Sequence, residues 1–508
     1  MTTPPGLRDR CARVAALLPL LGVGLGVALA LGGCGGPDAV RPTLEVAPAY
    51  QEAADGATLP PGTWQPARPQ DALKKGAWWE IFNDPQLAAL ERQVDAGNQG
   101  ISQAYDNLMA ARAQVREMQA GYSPNLSVAP AAGRSHVPST IGAAAGGNAT
   151  GQTGNSFSLP FDASWEPDLW GRVRNQVHEF QYAAQVSAAD LENERLTAQA
   201  ALAVFYLELH GQDSLQTLYD QAILEDRRSV ELTQSLLATG ISSEGDVAAA
   251  QVTLAEAEAA AAGIGVNRAV YEHAIATLIG RSASQLRIPA AALGTEVPLV
   301  PVGVPSQLLE RRPDIAAAER TMAQANALIK VERTAYYPSL TLSGSAGLES
   351  TALSTLFSAP AEFWSLGASL SELLVDGGLR KATVDQYQAL YDADAAAYKQ
   401  TVLAAFQQVE DGLSTLRILS GQIQRQDAAV RAAQRYLDLE QVRYQTGIDS
   451  YLSVISAETS LLAARENAVG LRISELSAAV QLIQALGGGW DISQLPAAGD
   501  DQATAAHD

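Results

Sequence analysis

The sequence predicts a mainly α-helical, internally duplicated chain with a small β portion suited to the wall of a membrane barrel. Three observations carry this. Proline is absent from Asp168 to Ile288 and again from Ala361 to Leu495. A turn, Thr239-Gly240-Ile241, recurs as Thr446-Gly447-Ile448 at a spacing of about 207 residues, and Asp246-Val247 falls on Ser453-Val454 at the same spacing. Four short segments alternate with period two, apolar against small polar residues.

The N-terminus of the 508-residue chain has Arg8, Arg10 and Arg13, then an apolar run from Val14 to Leu31 broken by Pro19 and several glycines. It closes on Leu31-Gly32-Gly33-Cys34, small residues at a cleavage site, as in a secretory signal over 1–33. That ending resembles the bacterial lipobox, which implies lipid attachment at Cys34. Cys11 and Cys34 are the only cysteines and form no disulfide or metal framework. Residues 34–77 are Pro-rich and read as an extended tether.

Asp84-Pro85 predicts a helix start, with Asp84 as cap and Pro85 first, running to about Gln119. Strands are expected near Asn125–Val137, at Phe157–Trp165, at Leu340–Leu348 and at Trp364–Leu370. Thr140–Asn155, rich in Gly, Ala, Thr and Asn, reads as an exposed loop between the first two. Each strand pair precedes a long helix, Arg172–Ala238 and Leu379–Gln445, roughly 100 Å at ~1.5 Å per residue. Gly240 and Gly447 stop those helices as tip turns, Asp449-Ser450 can cap the next helix, and return helices follow over Val247–Ile279 and Tyr451–Leu486. The resulting layout is a first repeat over 78–289, a linker over 290–313, a second repeat over 314–490 and a disordered tail over 491–508.

Four strands do not close a barrel, and an open edge in hydrocarbon leaves backbone groups unpaired. Several chains must pool their strands; two, three or four would satisfy this. Net charge of −21 gives no basic face for nucleic acid. The five histidines are scattered without a His-x-x-x-His pair, so no catalytic or metal-ligating set is expected. Asp376-Gly377-Gly378 reads as a strand-to-helix turn, and Arg311-Arg312-Pro313-Asp314 as a helix start braced by its arginines.

Trp78-Trp79-Glu80-Ile81-Phe82-Asn83-Asp84-Pro85, Ser164-Trp165-Glu166-Pro167-Asp168-Leu169-Trp170-Gly171-Arg172 and Leu308-Leu309-Glu310-Arg311-Arg312-Pro313-Asp314-Ile315 resemble the outer-membrane efflux (TolC/OprM-like) family. The last segment resembles the lipidated branch serving resistance-nodulation-division pumps. The resemblance implies a homotrimer, with a twelve-stranded β-barrel in outer-membrane lipid and a twelve-helix periplasmic α-barrel tunnel. It implies an exit duct working with a periplasmic adaptor (membrane fusion) protein and an inner-membrane resistance-nodulation-division transporter. No cofactor is implied beyond the lipid on Cys34. The alternatives are a duct for type I protein secretion and a structural coiled-coil lipoprotein.

The resemblance also places a periplasmic gate at Asp246, Arg443, Tyr444, Asp449, Ser453 and Ser456. Where the best-known tunnel of the family has an arginine and two aspartates, this chain has Asp449, Ser453 and Ser456, so an inward aspartate ring is not expected. Asp246 and Arg443 are expected to pair as a latch between the repeats, with Tyr444 adding a hydroxyl to the same carboxylate.

Overall fold

The computed structural model describes residues 50–54, 76–138, 152–294, 297–298 and 312–488. Cys34, the signal segment, most of the tether, residues 140–151 of the exposed loop, residues 299–311 of the linker and the C-terminal tail lie outside these. Among the described residues, eight α-helices and five strands follow one another: α1 (Gln51–Ala54), α2 (Pro85–Gly97), α3 (Gln99–Gln119), β1 (Asn125–Val128), β2 (Ala131–Val137), β3 (Gln152–Trp165), α4 (Arg172–Ala238), α5 (Glu244–Leu278), α6 (Pro313–Arg333), β4 (Ser339–Ser350), β5 (Glu362–Ser371), α7 (Leu379–Gln445) and α8 (Tyr451–Ala485). The two long helices have the expected bounds, and the return helices fall within three residues of theirs.

Two compact units share these elements. The first takes 116–179 and 323–392 and holds the sheet. Its antiparallel order is β1–β3–β4–β5, with β2 also paired to β3. The single strand expected over 125–137 is two, because Pro130 has no N–H to give the ladder. The register nevertheless carries through without a slip, Val128 opposite Phe161 and Ala131 opposite Ser158. The second strand begins earlier than expected, so Gln152–Asn155 belong to β3 rather than to the loop. The inner strands of the two repeats pair directly, from Phe157 opposite Ser350 to Trp165 opposite Leu342.

This register sorts side chains into rows. Val128, Phe161, Ala346 and Trp364 form one row across the sheet, and Ser127, Asp162, Ser345 and Ser365 form the neighbouring one. Adjacent rows point to opposite faces, so one face is apolar and the other carries small polar groups. The apolar face lies open: Trp364 is 77% exposed and Leu366 is 81% exposed. Each strand pair leads into its long helix through an aspartate. Asp168 accepts from the N–H groups of Val173 and Arg174. Asp376 accepts from Gly378 and Arg380, which hold its carboxyl down at about 2, with the Arg380 side chain the largest cause. Asp376 is thus a turn residue, as expected.

The second unit takes the described residues within 43–115, 180–322 and 393–488. Its largest core gathers Trp78 and Trp79 with Leu87 and Val94 of α2, Leu202 and Leu209 of α4, Ile275 of α5, Val409 of α7 and Leu482 of α8. Asp84 caps α2 through Gln86 and Leu87, with Pro85 at the first position. The helix expected to run unbroken to Gln119 breaks at Asn98. Asn98 turns extended and its side chain caps α3 at Gly100 and Ile101 while donating to the Leu278 carbonyl of α5. Arg312 braces the start of α6: it grips Asp314 with two bonds and donates to Gln408 and to the carbonyl of Ala485. Among the described residues no helix is long and apolar enough to cross a membrane.

Candidate functional site: the paired tip turns

Both long helices end in the same hydrogen-bonded turn. Gly240 has φ +77° and Gly447 has φ +72°, conformations that an L side chain resists. In the first repeat Gly240 N–H reaches Leu237 O and Ile241 N–H reaches Leu236 O; in the second, Gly447 N–H reaches Tyr444 O and Ile448 N–H reaches Arg443 O. Each pair satisfies carbonyls that the last helical turn leaves open. No atom lies within 4 Å of a Cβ built on either glycine, so only backbone conformation selects glycine there. Gly447→Val is expected to destabilise the tip by about 1 kcal/mol or more. Faster cleavage between residues 440 and 455 in limited proteolysis is the measurement; an unchanged rate would refute it.

The return helices start differently. Ser243 caps α5: its hydroxyl accepts the Asp246 N–H at 3.2 Å, and Asp246 accepts the Ser243 N–H at 2.8 Å. This reciprocal box, joined by the Ser242 hydroxyl, holds the Asp246 carboxyl below its ordinary value, the Ser243 N–H being the largest cause. In the second repeat Ser453 stands where Asp246 stands in the first, and the box cannot form. Ser450 takes the cap position of α8, within the expected Asp449-Ser450 pair, but makes no side-chain capping bond. Asp449 beside it accepts from Ser450 N–H at 2.9 Å and from the Ser453 hydroxyl at 3.0 Å, bonds that steady the turn without taking an open N–H of the first helical turn. These two bonds lead the causes that lower its carboxyl.

The expected Asp246–Arg443 latch does not form within the chain. Asp246 is occupied by its own helix start. Arg443 turns to its own tip, 2.9 Å from Asp449 and 3.7 Å from buried Glu440. At the tips it is Tyr444, not Arg443, that reaches toward the first repeat. Burial first, then the charge of Asp246, push the Tyr444 hydroxyl up, and it touches the Ser242 hydroxyl. Its ring lies 5.2 Å from that of Tyr451, at the edge of a cluster of Ala250, Leu437, Tyr451, Val454 and Ala457. Ser456 is exposed and makes only a helical contact to Ser460. Sequence reasoning missed Ser242, Ser243, Glu440 and Tyr451. The Ser-x-x-Asp spacing of Ser243 and Asp246 was a usable sign for one pair, and the three-residue spacing of Glu440 and Arg443 for another.

Among the polar residues exposed at the tips stand three large apolar side chains: Ile241 at 75%, Ile448 at 70% and Leu452 at 66% exposure. A family model described as outer membrane efflux protein matches residues 90–281 and 304–488. ArpC, an antibiotic efflux pump outer membrane protein of Pseudomonas putida, is 30% identical over 478 residues, covering 91% of this chain and 94% of its own. TtgC, a toluene efflux pump outer membrane protein of Pseudomonas putida, matches with the same identity and coverage. The solved structure of the outer-membrane channel OprN superposes with a TM-score of 0.81 at 27% identity, covering 90% of this chain and 99% of that one. With the match spanning both repeats, the chain belongs to the outer membrane efflux protein family.

Proposed function

We propose that this chain is the outer-membrane exit duct of a tripartite efflux pump, passing small molecules from an inner-membrane transporter and a periplasmic adaptor to the exterior. The observation that carries this is the sheet, apolar and open to the surroundings on one face, polar on the other, and unclosed. The outer edges of β1 and β5 lack a neighbour among the described strands. In hydrocarbon each unpaired backbone group costs several kcal/mol, so copies of the chain must supply the missing edges. Three copies with four strand widths each give the twelve-stranded barrel that the resemblance implies, and their long helices give the twelve-helix tunnel. Polar rows such as Ser127–Asp162–Ser345–Ser365 would then face the wet interior.

Antibiotic and toluene pumps supply equally similar relatives, so cargo choice is assigned to the transporter of the resistance-nodulation-division class and not to the duct. The adaptor is assigned to the apolar ends at Ile241 and Ile448. Cys34 is assigned the lipid anchor. Mass spectrometry of the mature N-terminal peptide is expected to find it acylated, and an unmodified peptide starting elsewhere would refute the anchor.

The function is tested by planar-bilayer conductance of the purified protein, with its mass measured in detergent. Three chains per particle and a small resting conductance are expected. A mass of one or two chains, or no conductance after insertion, would overturn the proposal. The tip turns are proposed as the resting closure. Asp246→Ala combined with Arg443→Ser removes the box from one tip and the ion pair from the other, and is expected to raise conductance several-fold. Unchanged conductance in an intact oligomer would place the closure in helix packing instead.

A further inference from the structure

We infer that a cavity among the helices of the second unit binds a small primary ammonium on a four- or five-carbon stem. The cavity measures about 240 Å³ and lies among α4, α5, α7 and α8. Leu218, Ala222, Ala257 and Leu462 line one part of it, and Glu225, Asp226, Glu256 and Glu458 another. Asp226 is only 6% exposed and makes no hydrogen bond among the described residues. The Oε2 atom of Glu458 is likewise buried without a partner. The one arginine on the lining, Arg465, donates to the Gln434 side-chain oxygen at 2.6 Å and pairs with none of these carboxylates.

Buried charge of one sign is costly unless something neutralises it. Burial, and after it the neighbouring Glu225, push the Asp226 carboxyl up to about 6. Burial, then Asp226 and Glu225, push Glu458 up to about 7. At pH 7.5, above both values, the carboxylate forms predominate, with no cationic side chain on the lining paired to them. Among the described residues no group of three or more His, Cys, Asp or Glu is placed to hold a metal ion. An ammonium on a methylene stem fits both walls: the charged head meets Asp226 and Glu458, and the stem lies on leucine and alanine. Asp226 is on α4 of the first repeat and Glu458 on α8 of the second, so the bound cation ties together the helix pairs that carry the two tips.

The test is calorimetric titration of n-butylamine into the intact detergent-solubilised protein, near pH 7.5 and in physiological salt. One saturable site per chain is expected. Asp226→Asn and Glu458→Gln should each weaken it at least about tenfold, and 1-butanol, which lacks the ammonium, should not bind. Between pH 8 and pH 6 affinity should fall several-fold, because the carboxyls take up protons that the cation must displace. The amide variants keep side-chain shape and remove buried like charge, so a melting temperature no lower than the parent's confirms that they fold. Equal binding in parent and variants would reveal only diffuse attraction to an acidic surface and overturn the inference. So would the absence of saturable heat in the folded parent, which would leave the pair holding protons alone.

Discussion

Replacing Gly280 with alanine is expected to cost about 3 kcal/mol or more and to lower the yield of folded protein sharply. Gly280 ends α5 with φ +70°, where a Cβ costs roughly 1–2 kcal/mol on backbone grounds. Its N–H reaches Thr277 O, and Arg281 N–H reaches Ala276 O, the same terminal motif as at the tips. Here, unlike at the tips, space is also absent. A Cβ on Gly280 would press on the carbonyl of Gly97, and one on Gly97 would press on the carbonyl of Ile279. Backbone meets backbone where α2 and α5 both end, so no rotamer change relieves the contact, and overpacking adds about 1–3 kcal/mol. Asn98 locks the same junction through the Leu278 carbonyl. Denaturant midpoints of Gly280→Ala and Gly97→Ala, against the parent, check this. Gly263→Ala is the control: it lies inside α5 with nothing within 4 Å of its Cβ, and should gain roughly 0.5–1 kcal/mol. A Gly280→Ala midpoint equal to the parent's would mean that the two helix ends stand apart in solution.

The long helices were legible because their limits are written in residue types with few alternatives. Proline is excluded from their interiors, glycine ends them, and the duplication supplies an independent second copy of each boundary. The strands were legible from alternation, and their rows from the register that alternation implies. What failed to show depends on contacts between distant segments. Nothing in Ala96-Gly97-Asn98-Gln99 by itself says that α5 will arrive against it, although Asn before a helical run is a capping residue. The latch failed for a related reason. Equivalent positions in two repeats bring Asp246 and Arg443 to neighbouring turns, but proximity does not choose partners. Each charge took the nearer partner on its own turn, Ser243 for one and Asp449 for the other. A local hydrogen bond closes a short loop, while a bond between repeats must hold two helix ends in register as well.

Replacing Glu91 with methionine is expected to raise stability by about 3 kcal/mol at pH 7. Glu91 lies on the inward stripe of α2 with Leu87, Leu90 and Val94, and is wholly buried. Neither of its carboxyl oxygens has a hydrogen-bond partner among the described residues. Burial first, and then the charge of Asp95, raise its carboxyl from 4.5 to about 9. The sign follows from where each state holds the proton. Below pH 4.5 the carboxyl is protonated in both states and stability does not depend on it. Between 4.5 and 9 the unfolded chain releases the proton and the folded chain keeps it, so stability falls as pH rises, by about 1.4 kcal/mol per unit. Above 9 the loss is complete. Methionine fills a similar volume, titrates nowhere and suits an apolar stripe. Urea midpoints of parent and Glu91→Met should therefore differ least near pH 4 and diverge steadily up to pH 9. Parallel profiles across that range would show that the folded chain ionises Glu91 as readily as the unfolded one, with solvent or a cation reaching the carboxyl.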